Sequence, residues 1–135
     1  AKKLGVTFLI ENNVVAPSNV DKQGQSPLLL ADPQEIKKFA KDIGEDFGIL
    51  MDVGHLNVSA ASLGFNVLEA LHQIDPHIVA YHLSDNNGLA DSNEPITNES
   101  WFVSCLIDSK ITTIEVYNAD ANIIENCLSV LGSHA

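Results

Sequence analysis

The chain has 135 residues, with seven lysine and arginine residues against 18 aspartate and glutamate residues, and its formal net charge is −11. This acidity argues against a nucleic-acid partner, because contacts to phosphate require a basic surface. No apolar run approaches the roughly 18 residues that cross a membrane, and the length predicts one domain over 1–135.

The chain opens with a predicted strand, a long loop and a helix. The run "VTFLIE" (6–11) is continuously apolar up to its final glutamate, as in parallel strands buried on both faces. The polar stretch 12–31 predicts a loop, and loops of this length are usually functional. Helix 32–44 follows, with Asp32 as N-cap and Glu35 placed to complete a capping box.

A second apolar run, "FGILMD" (47–52), predicts the next strand, and again a carboxylate ends it. The segment "FNVLEALHQI" (65–74) has helical character and stops at an Asp-Pro pair, which disfavours further helix. A third run, "IVAYHLSD" (78–85), predicts another strand, and polar residues follow it without a break.

The last part of the chain predicts a short helix at 101–107, a fourth strand, "ITTIEVY" (111–117), and a final helix at 120–132. Cys105 and Cys127 lie in the apolar patterns of these two helices. Small buried thiols are typical of a reducing compartment. Together with the lack of a secretory signal, they predict a cytoplasmic protein.

Strands and helices therefore alternate along the whole chain. Such alternation predicts an α/β fold with a parallel sheet and outer helices, in which ligands bind at the carboxyl ends of the strands. Each of the four strands carries a carboxylate or an imidazole at or near that end: Glu11, Asp52, His82 and Glu115. His55, Asp85 and Asp91 follow closely in the connecting segments.

Each acidic residue has an ordinary structural explanation, since an aspartate after a strand commonly caps a helix or forms a turn. Four such residues on four successive strands favour a shared site instead. Bare carboxylates would repel each other there, and a divalent cation removes that conflict. Three carboxylates and one imidazole favour Mn²⁺, with Mg²⁺, Co²⁺ and Zn²⁺ as alternatives.

Four segments carry a resemblance to a known family: "FLIEN" (8–12), "MDVGHLNVS" (51–59), "YHLSDNNGLADSNEPI" (81–96) and "TIEVY" (113–117). They resemble the carboxyl-terminal half of the xylose-isomerase-like TIM barrels. That superfamily includes sugar phosphate isomerases and epimerases as well as apurinic endonucleases of the endonuclease IV type. The resemblance implies a (β/α)4 half of a TIM barrel, strands five to eight of the parent barrel.

The resemblance also implies roles for individual residues. The metal ligands would be Glu11, Asp52, His82 and Glu115, and the two glutamates would also be the catalytic acid and base. His55 would bind substrate near the metal, and Asp85 and Asp91 are predicted to contact substrate as well.

Two departures from the family pattern affect these expectations. Asn93 stands where endonuclease-type members have a histidine for further zinc ions, which disfavours a trinuclear zinc site. The stretch after His82 offers no arginine of the kind that holds substrate in some epimerases.

The predicted function is metal-dependent isomerisation or epimerisation of a sugar or sugar-like molecule by proton transfer next to a carbonyl. The alternatives are a phosphodiester hydrolase like endonuclease IV, or a truncated barrel that dimerises without turnover. A complete barrel needs about 250 residues. The predicted partners are therefore a small sugar and either a second copy of the chain or a separate amino-terminal half-barrel, with no nucleic acid and no membrane.

Overall fold

The computed structural model of the chain describes residues 2–26, 28–44, 47–106 and 110–133. Four strands form one parallel sheet in the order β1-β2-β3-β4. They are β1 (Phe8–Glu11), β2 (Phe47–Asp52), β3 (Ile78–Leu83) and β4 (Ile111–Ile114). Each strand is followed in the chain by helical segments, so the predicted alternation is confirmed.

The helices are α1 (Pro33–Ile43), α2 (Val53–Leu63), α3 (Val67–Ile74) and α4 (Ala121–Gly132). Each begins at a polar residue whose side chain accepts a hydrogen bond from a backbone N–H of the first turn. Such caps satisfy N–H groups that have no partner within the helix. The four capping residues are Asp32, Asp52, Asn66 and Asp120.

Three sequence predictions about local structure are wrong. Helix α2 was not predicted, and the helix expected at 101–107 is only a 3₁₀ turn at Val103–Cys105, with Ile107 outside the described residues. The Glu35 carboxylate accepts a hydrogen bond from the N–H of Leu30 at 2.7 Å. It therefore braces the end of the preceding loop and does not complete a capping box with Asp32.

The long loop predicted at 12–31 is present, apart from a 3₁₀ turn at Pro17–Asn19, and its Pro27 lies outside the described residues. The loop is tied to the end of the sheet through Asn13, whose N–H donates to the Leu30 carbonyl at 3.0 Å. It ends directly at the cap of α1. The two cysteines are free thiols, as predicted, but only Cys127 is buried and Cys105 is half-buried.

The core lies between one face of the sheet and the helices. Ile49 and Met51 of β2 pack there with Tyr81 and Leu83 of β3. Side chains alternate between the faces of a strand. The alternate positions of β2, including Asp52, therefore lie on the face away from the helices.

The outer strands differ from the two central strands. Phe8 of β1 is 51% exposed and Ile111 of β4 is 70% exposed, whereas Ile49 and Met51 of β2 are almost fully buried. The expectation that the strands are buried on both faces is therefore wrong for the edge strands. It holds only in part for the central strands, where Phe47 is 40% and Val79 39% exposed. A neighbouring strand on each side would be needed to cover β1 and β4.

Candidate metal centre

Four side chains converge at the carboxyl end of the sheet. One nitrogen or oxygen atom from each of Glu11, Asp52, His82 and Glu115 lies within 4.8 Å of the others. Glu11 and Asp52 end their strands, and Asp52 lies opposite His82 in the register between β2 and β3. Glu115 directly follows β4, where its N–H donates to the Leu83 carbonyl at 2.9 Å. The structure thus brings together the four residues that the sequence singled out.

His82 lies at the centre of this cluster. Its Nδ1 is 2.8 Å from Oε1 of Glu11, 2.9 Å from Oε2 of Glu115 and 4.0 Å from Oδ2 of Asp52. The same Nδ1 is buried and has no hydrogen-bond partner. Neither glutamate carboxylate forms a hydrogen bond with Nδ1, although two of the distances are short enough for one. Atoms that approach one another without hydrogen bonding suit a shared cation better than a hydrogen-bonded network.

Asp52 has two functions in the structure. Its Oδ1 accepts a hydrogen bond from the N–H of His55 at 2.8 Å and so caps α2, while Oδ2 faces His82. Burial raises the pKa of the Asp52 carboxyl, the charges of Asp91 and Glu11 raise it further, and His55 opposes this rise. A cation would relieve this electrostatic cost, since it favours the ionised carboxylate.

Asn12 holds the ends of β1 and β2 together, and it was not among the residues predicted for the site. It is buried. Its Oδ1 accepts from the N–H of Asp52 at 2.7 Å, and its Nδ2 donates to the Asp52 carbonyl at 3.1 Å. The signal available in the sequence was an amide directly after the last residue of an apolar strand, where a backbone clamp is needed.

His55 lies beside the cluster. Its Nδ1 is 2.8 Å from the Asn12 carbonyl, which can only accept, so Nδ1 carries the proton. Its Nε2 then faces Oδ2 of Asp91 at 3.3 Å and Oδ2 of Asp52 at 3.9 Å. Burial alone would lower the pKa of His55, but the charges of Asp52 and Asp91 and the Asn12 carbonyl raise it overall.

Asp91 lies beside the cluster, where its Oδ2 contacts Nε2 of His55. Its Oδ1 is buried without a hydrogen-bond partner. Asp85 lies elsewhere. Its carboxylate accepts hydrogen bonds from the Asn86 N–H and the Ser100 hydroxyl, and its backbone pairs with Glu94. The structure therefore brings His55 and Asp91 to the site, while Asp85 organises the loop after β3.

Gly54 allows the loop after β3 to approach the start of α2. A Cβ at this position would lie 2.8 Å from Oγ of Ser84 and 3.1 Å from Nδ2 of Asn86. That Nδ2 donates to the Gly54 carbonyl at 2.9 Å. The glycine of the "DVGH" segment is thus needed for close packing behind the cluster.

Asn93 turns away from the cluster. It is buried in a left-handed conformation, with φ +48°. Its Oδ1 accepts a hydrogen bond from the Ser84 hydroxyl at 2.8 Å. It therefore acts as a turn residue in the loop after β3.

The four side chains of the cluster differ in how much of their surface is exposed. Asp52 is 1% exposed and His82 25%, whereas Glu11 and Glu115 are 39% and 40% exposed. Glu115 was predicted within the strand 111–117 but lies just outside it, because β4 ends at Ile114, and its position beside an edge strand leaves it partly exposed. Three carboxylate oxygens and one imidazole nitrogen nevertheless fit a divalent cation of the harder kind.

A solved structure shares this fold. The chain is similar to a protein from Rhodospirillum rubrum described as a "Putative Xylose isomerase", with a TM-score of 0.64 and 14% sequence identity. The match covers 98% of this chain and 48% of that chain, so the chain spans about half the length of the structure it matches. The fold is thus a (β/α)4 half of a TIM barrel, as the sequence predicted.

A comparison with models of protein families gives no match, and a comparison with curated proteins gives none either. Within the described parts of the chain, no helix is long and apolar enough to cross a membrane.

Proposed function

We propose that this chain carries the metal-binding and proton-transferring half of a sugar isomerase or epimerase. The observation that supports this most is the convergence of Glu11, Asp52, Glu115 and the unpartnered Nδ1 of His82 within 4.8 Å. These four side chains would hold one divalent cation, with Mn²⁺ favoured by the oxygen-rich set. When bound, such an ion polarises a carbonyl oxygen as a Lewis acid.

The chemistry of the chain's own residues would be proton transfer at the carbon next to that carbonyl. Glu11 and Glu115 come from the two outer strands and approach His82 from its two sides. One carboxylate would take the proton from carbon while the C–H electron pair moves towards the carbonyl oxygen. The other, lying across the substrate carbon, would return a proton, and which carbon or face receives it decides between isomerisation and epimerisation.

The surrounding residues would position the substrate. His55 offers Nε2 beside the cluster, with its ring orientation fixed by the Asn12 carbonyl. Asp91 lies within reach of the same ring and would accept a hydrogen bond from a substrate hydroxyl. The carboxylate of Asp85 already accepts hydrogen bonds from Asn86 and Ser100. Asp85 would therefore affect the substrate indirectly, by fixing the loop after β3.

The rest of the pocket wall would come from outside this half-barrel. We expect either a second copy of the chain or a separate amino-terminal half to cover the exposed outer strands β1 and β4. A barrel closed by two copies would bring two acidic clusters together at the carboxyl ends of its strands. Because the two clusters would repel each other, a homodimer would need a cation or protons at each one. The half-barrel alone should turn over little substrate.

The test is exchange of solvent deuterium into ketoses, measured by proton NMR with the Mn²⁺-loaded protein and with its complete parent assembly. Metal-dependent exchange that Glu115→Gln abolishes would support the proposal, and Glu69→Gln, an exposed glutamate on α3, is the matched control. The competing hydrolase function predicts cleavage of abasic DNA without exchange into any sugar. That outcome would replace the isomerase proposal.

A further inference from the structure

Strand β3 contains one more residue than the stretch of β2 with which it pairs. Ile78 pairs with Ile49 of β2. The next residue of β2, Leu50, pairs with Ala80, so Val79 is the extra residue. This arrangement is a β-bulge, which is rare between parallel strands. Bulges are frequent next to active sites, where they change the direction in which a side chain points.

The bulge decides which side chains of β3 face the metal centre. Side chains alternate between the faces of a strand, so a shift of one residue turns every later side chain to the opposite face. Ile78 and Tyr81 both pack in the core, although a regular strand would place residues three apart on opposite faces. After the bulge, His82 pairs with Asp52 and lies in the cluster. Without it, and with Ile78 still in the core, Tyr81 would face the cluster and His82 the helices.

The amino end of β3 is fixed, so the extra residue has to be taken up within the strand. Ile78 is buried. Three residues earlier, Asp75 accepts two hydrogen bonds from Nζ of Lys110, at 2.6 Å to Oδ1 and 3.0 Å to the carbonyl oxygen. Lys110 directly precedes β4, and its Nζ lies 5.6 Å from the centre of the Tyr81 ring. These contacts hold the start of β3 against the start of β4.

Gly48 of β2 provides the room for the bulge. A Cβ at this position would overlap Cγ2 of Val79 and would lie 3.0 Å from its Cβ and 2.9 Å from Cδ2 of Leu9. Carbon atoms that are not bonded pack at about 3.5–4.0 Å. Gly48 does not adopt a left-handed conformation, so its missing side chain is what the bulge requires. A glycine inside a strand often marks such a bulge.

We propose that Gly48 and Val79 are positioning residues of the metal centre. The bulge that Gly48 admits at Val79 turns His82, and not Tyr81, towards the three carboxylates of the cluster. Both residues act through the backbone of β3. The proposal rests on the metal centre of the proposed function and adds to it the feature that aims its imidazole.

The test measures Mn²⁺ affinity by calorimetric titration of the full chain. Gly48→Ala closes the space for the bulge and should weaken binding at least about tenfold. Deletion of Val79 removes the extra residue, so β2 and β3 stay in phase without a bulge, and binding should remain within about threefold of the wild type. Gly48→Ala combined with this deletion should bind like the deletion alone, because the added methyl group then meets only the flexible end of Leu9.

Two further measurements separate positioning from general destabilisation. Gly132→Ala, where an added Cβ meets no other part of the described chain within 4 Å, is the control and should leave Mn²⁺ affinity unchanged. Nuclear Overhauser contacts between the Tyr81 ring and the Lys110 side chain report the phase of β3 in the metal-free chain. They should be present in the wild type and in the combined variant and lost in Gly48→Ala.

The two proposals fail in different ways. Wild-type Mn²⁺ affinity in Gly48→Ala, or weakened binding with the contacts of Tyr81 retained, overturns the positioning role while the proposed function stands. If Gly48→Ala does not fold, the combined variant decides, and its failure to fold or to bind Mn²⁺ like the deletion overturns the role as well. A wild type that binds no Mn²⁺ overturns the proposed metal centre, whereas the contacts of Tyr81 still report whether Gly48 sets the phase of β3.

Discussion

The side chains of the two central strands are covered more completely than those of the two edge strands. In β2 and β3 the core side chains are buried, and Asp52 is locked by Asn12 and by the start of α2. In β1 and β4 large apolar side chains are exposed, and the two glutamates of the cluster are about 40% exposed. The half-barrel therefore covers Asp52 and most of His82 by itself and leaves the two glutamates of the cluster to be enclosed by whatever covers its edges.

The largest consequence concerns assembly. Exposed strand edges and apolar side chains such as Phe8 and Ile111 favour association. We expect the isolated chain to form a dimer or larger assembly at micromolar concentration, measured by light scattering and sedimentation. Ile111→Lys should weaken that assembly, whereas Leu128→Lys, on an exposed site of α4, tests whether the helical layer also takes part. A compact, well-folded monomer of the wild type would contradict this account of the edges.

A second experiment compares one residue from each region. Met51→Ala in β2 removes a fully buried side chain and should lower the free energy of unfolding by about 3 kcal/mol. Ile111→Ala in β4 should lower it by less than about 1 kcal/mol in the unassembled chain, because that side chain is 70% exposed. Urea denaturation at low protein concentration measures both. Equal losses would show that the edge is as well packed as the centre.

Substitution of Asn12 tests how the buried part of the site, around Asp52, is held in place. Asn12→Ala removes two hydrogen bonds to the Asp52 backbone and should cost about 1–3 kcal/mol of stability. It should also weaken metal binding, because Asp52 and His55 lose their fixed positions. Asn13→Ala is the control, since the exposed Asn13 side chain donates only to the Leu29 carbonyl in the neighbouring loop. If the Asn12 and Asn13 variants have the same stability and the same metal affinity, Asn12 does not position Asp52 and His55.

The pH dependence is expected to be the smallest effect. The folded chain binds protons at Asp52 and His55 more tightly than ordinary side chains do, since both pKa values are raised above 3.8 and 6.5 respectively. Their contribution to the stability of the metal-free chain is thus full below the ordinary values and is lost as the pH rises through the raised ones. Thermal melts at several pH values across that range measure this effect. The melting temperature should change less with pH in Asp52→Asn than in Asp42→Asn.

Metal binding should have the opposite pH dependence. A cation requires Asp52 to be ionised, so protons compete with the metal from a higher pH than at an ordinary aspartate. The melting-temperature increase caused by Mn²⁺ should therefore shrink on acidification. If the melting-temperature increase stays constant as the pH falls to the ordinary pKa of an aspartate, Asp52 is not a ligand.

Much of this fold could be predicted because strong local signals coincide with its elements. Strand β2 and the helices α1 and α4 have apolar runs or clear caps at their ends, and the sequence placed them to within about two residues. Helix α2 was missed because Asp52 ends a strand and caps a helix at the same time, leaving no loop between them. Its small and apolar residues also show little of the polar stripe that marks a surface helix.

The site was predictable for the same geometrical reason that it exists. Parallel strands bring their carboxyl ends to one edge, so four charged or imidazole side chains at those ends had to lie near one another. The details that depend on contacts distant in sequence could not be predicted. The contact between Asp85 and Ser100 follows from how the loop after β3 folds and has no sequence signature. The amide directly after β1 was visible in the sequence, but it did not indicate that Asn12 would bind the backbone of Asp52.

The central claim is that Glu11, Asp52, His82 and Glu115 form a cation site, and calorimetric titration with Mn²⁺ tests it most directly. The account predicts one ion per chain, released by chelator. Binding should be largely lost in His82→Ala and retained in His77→Ala, a histidine next to the opposite end of the same strand. Saturation at one hundred times the dissociation constant should stabilise the fold by about 2.7 kcal/mol. No heat of binding with Mn²⁺, Mg²⁺, Co²⁺ or Zn²⁺, or equal binding by both histidine variants, would contradict it.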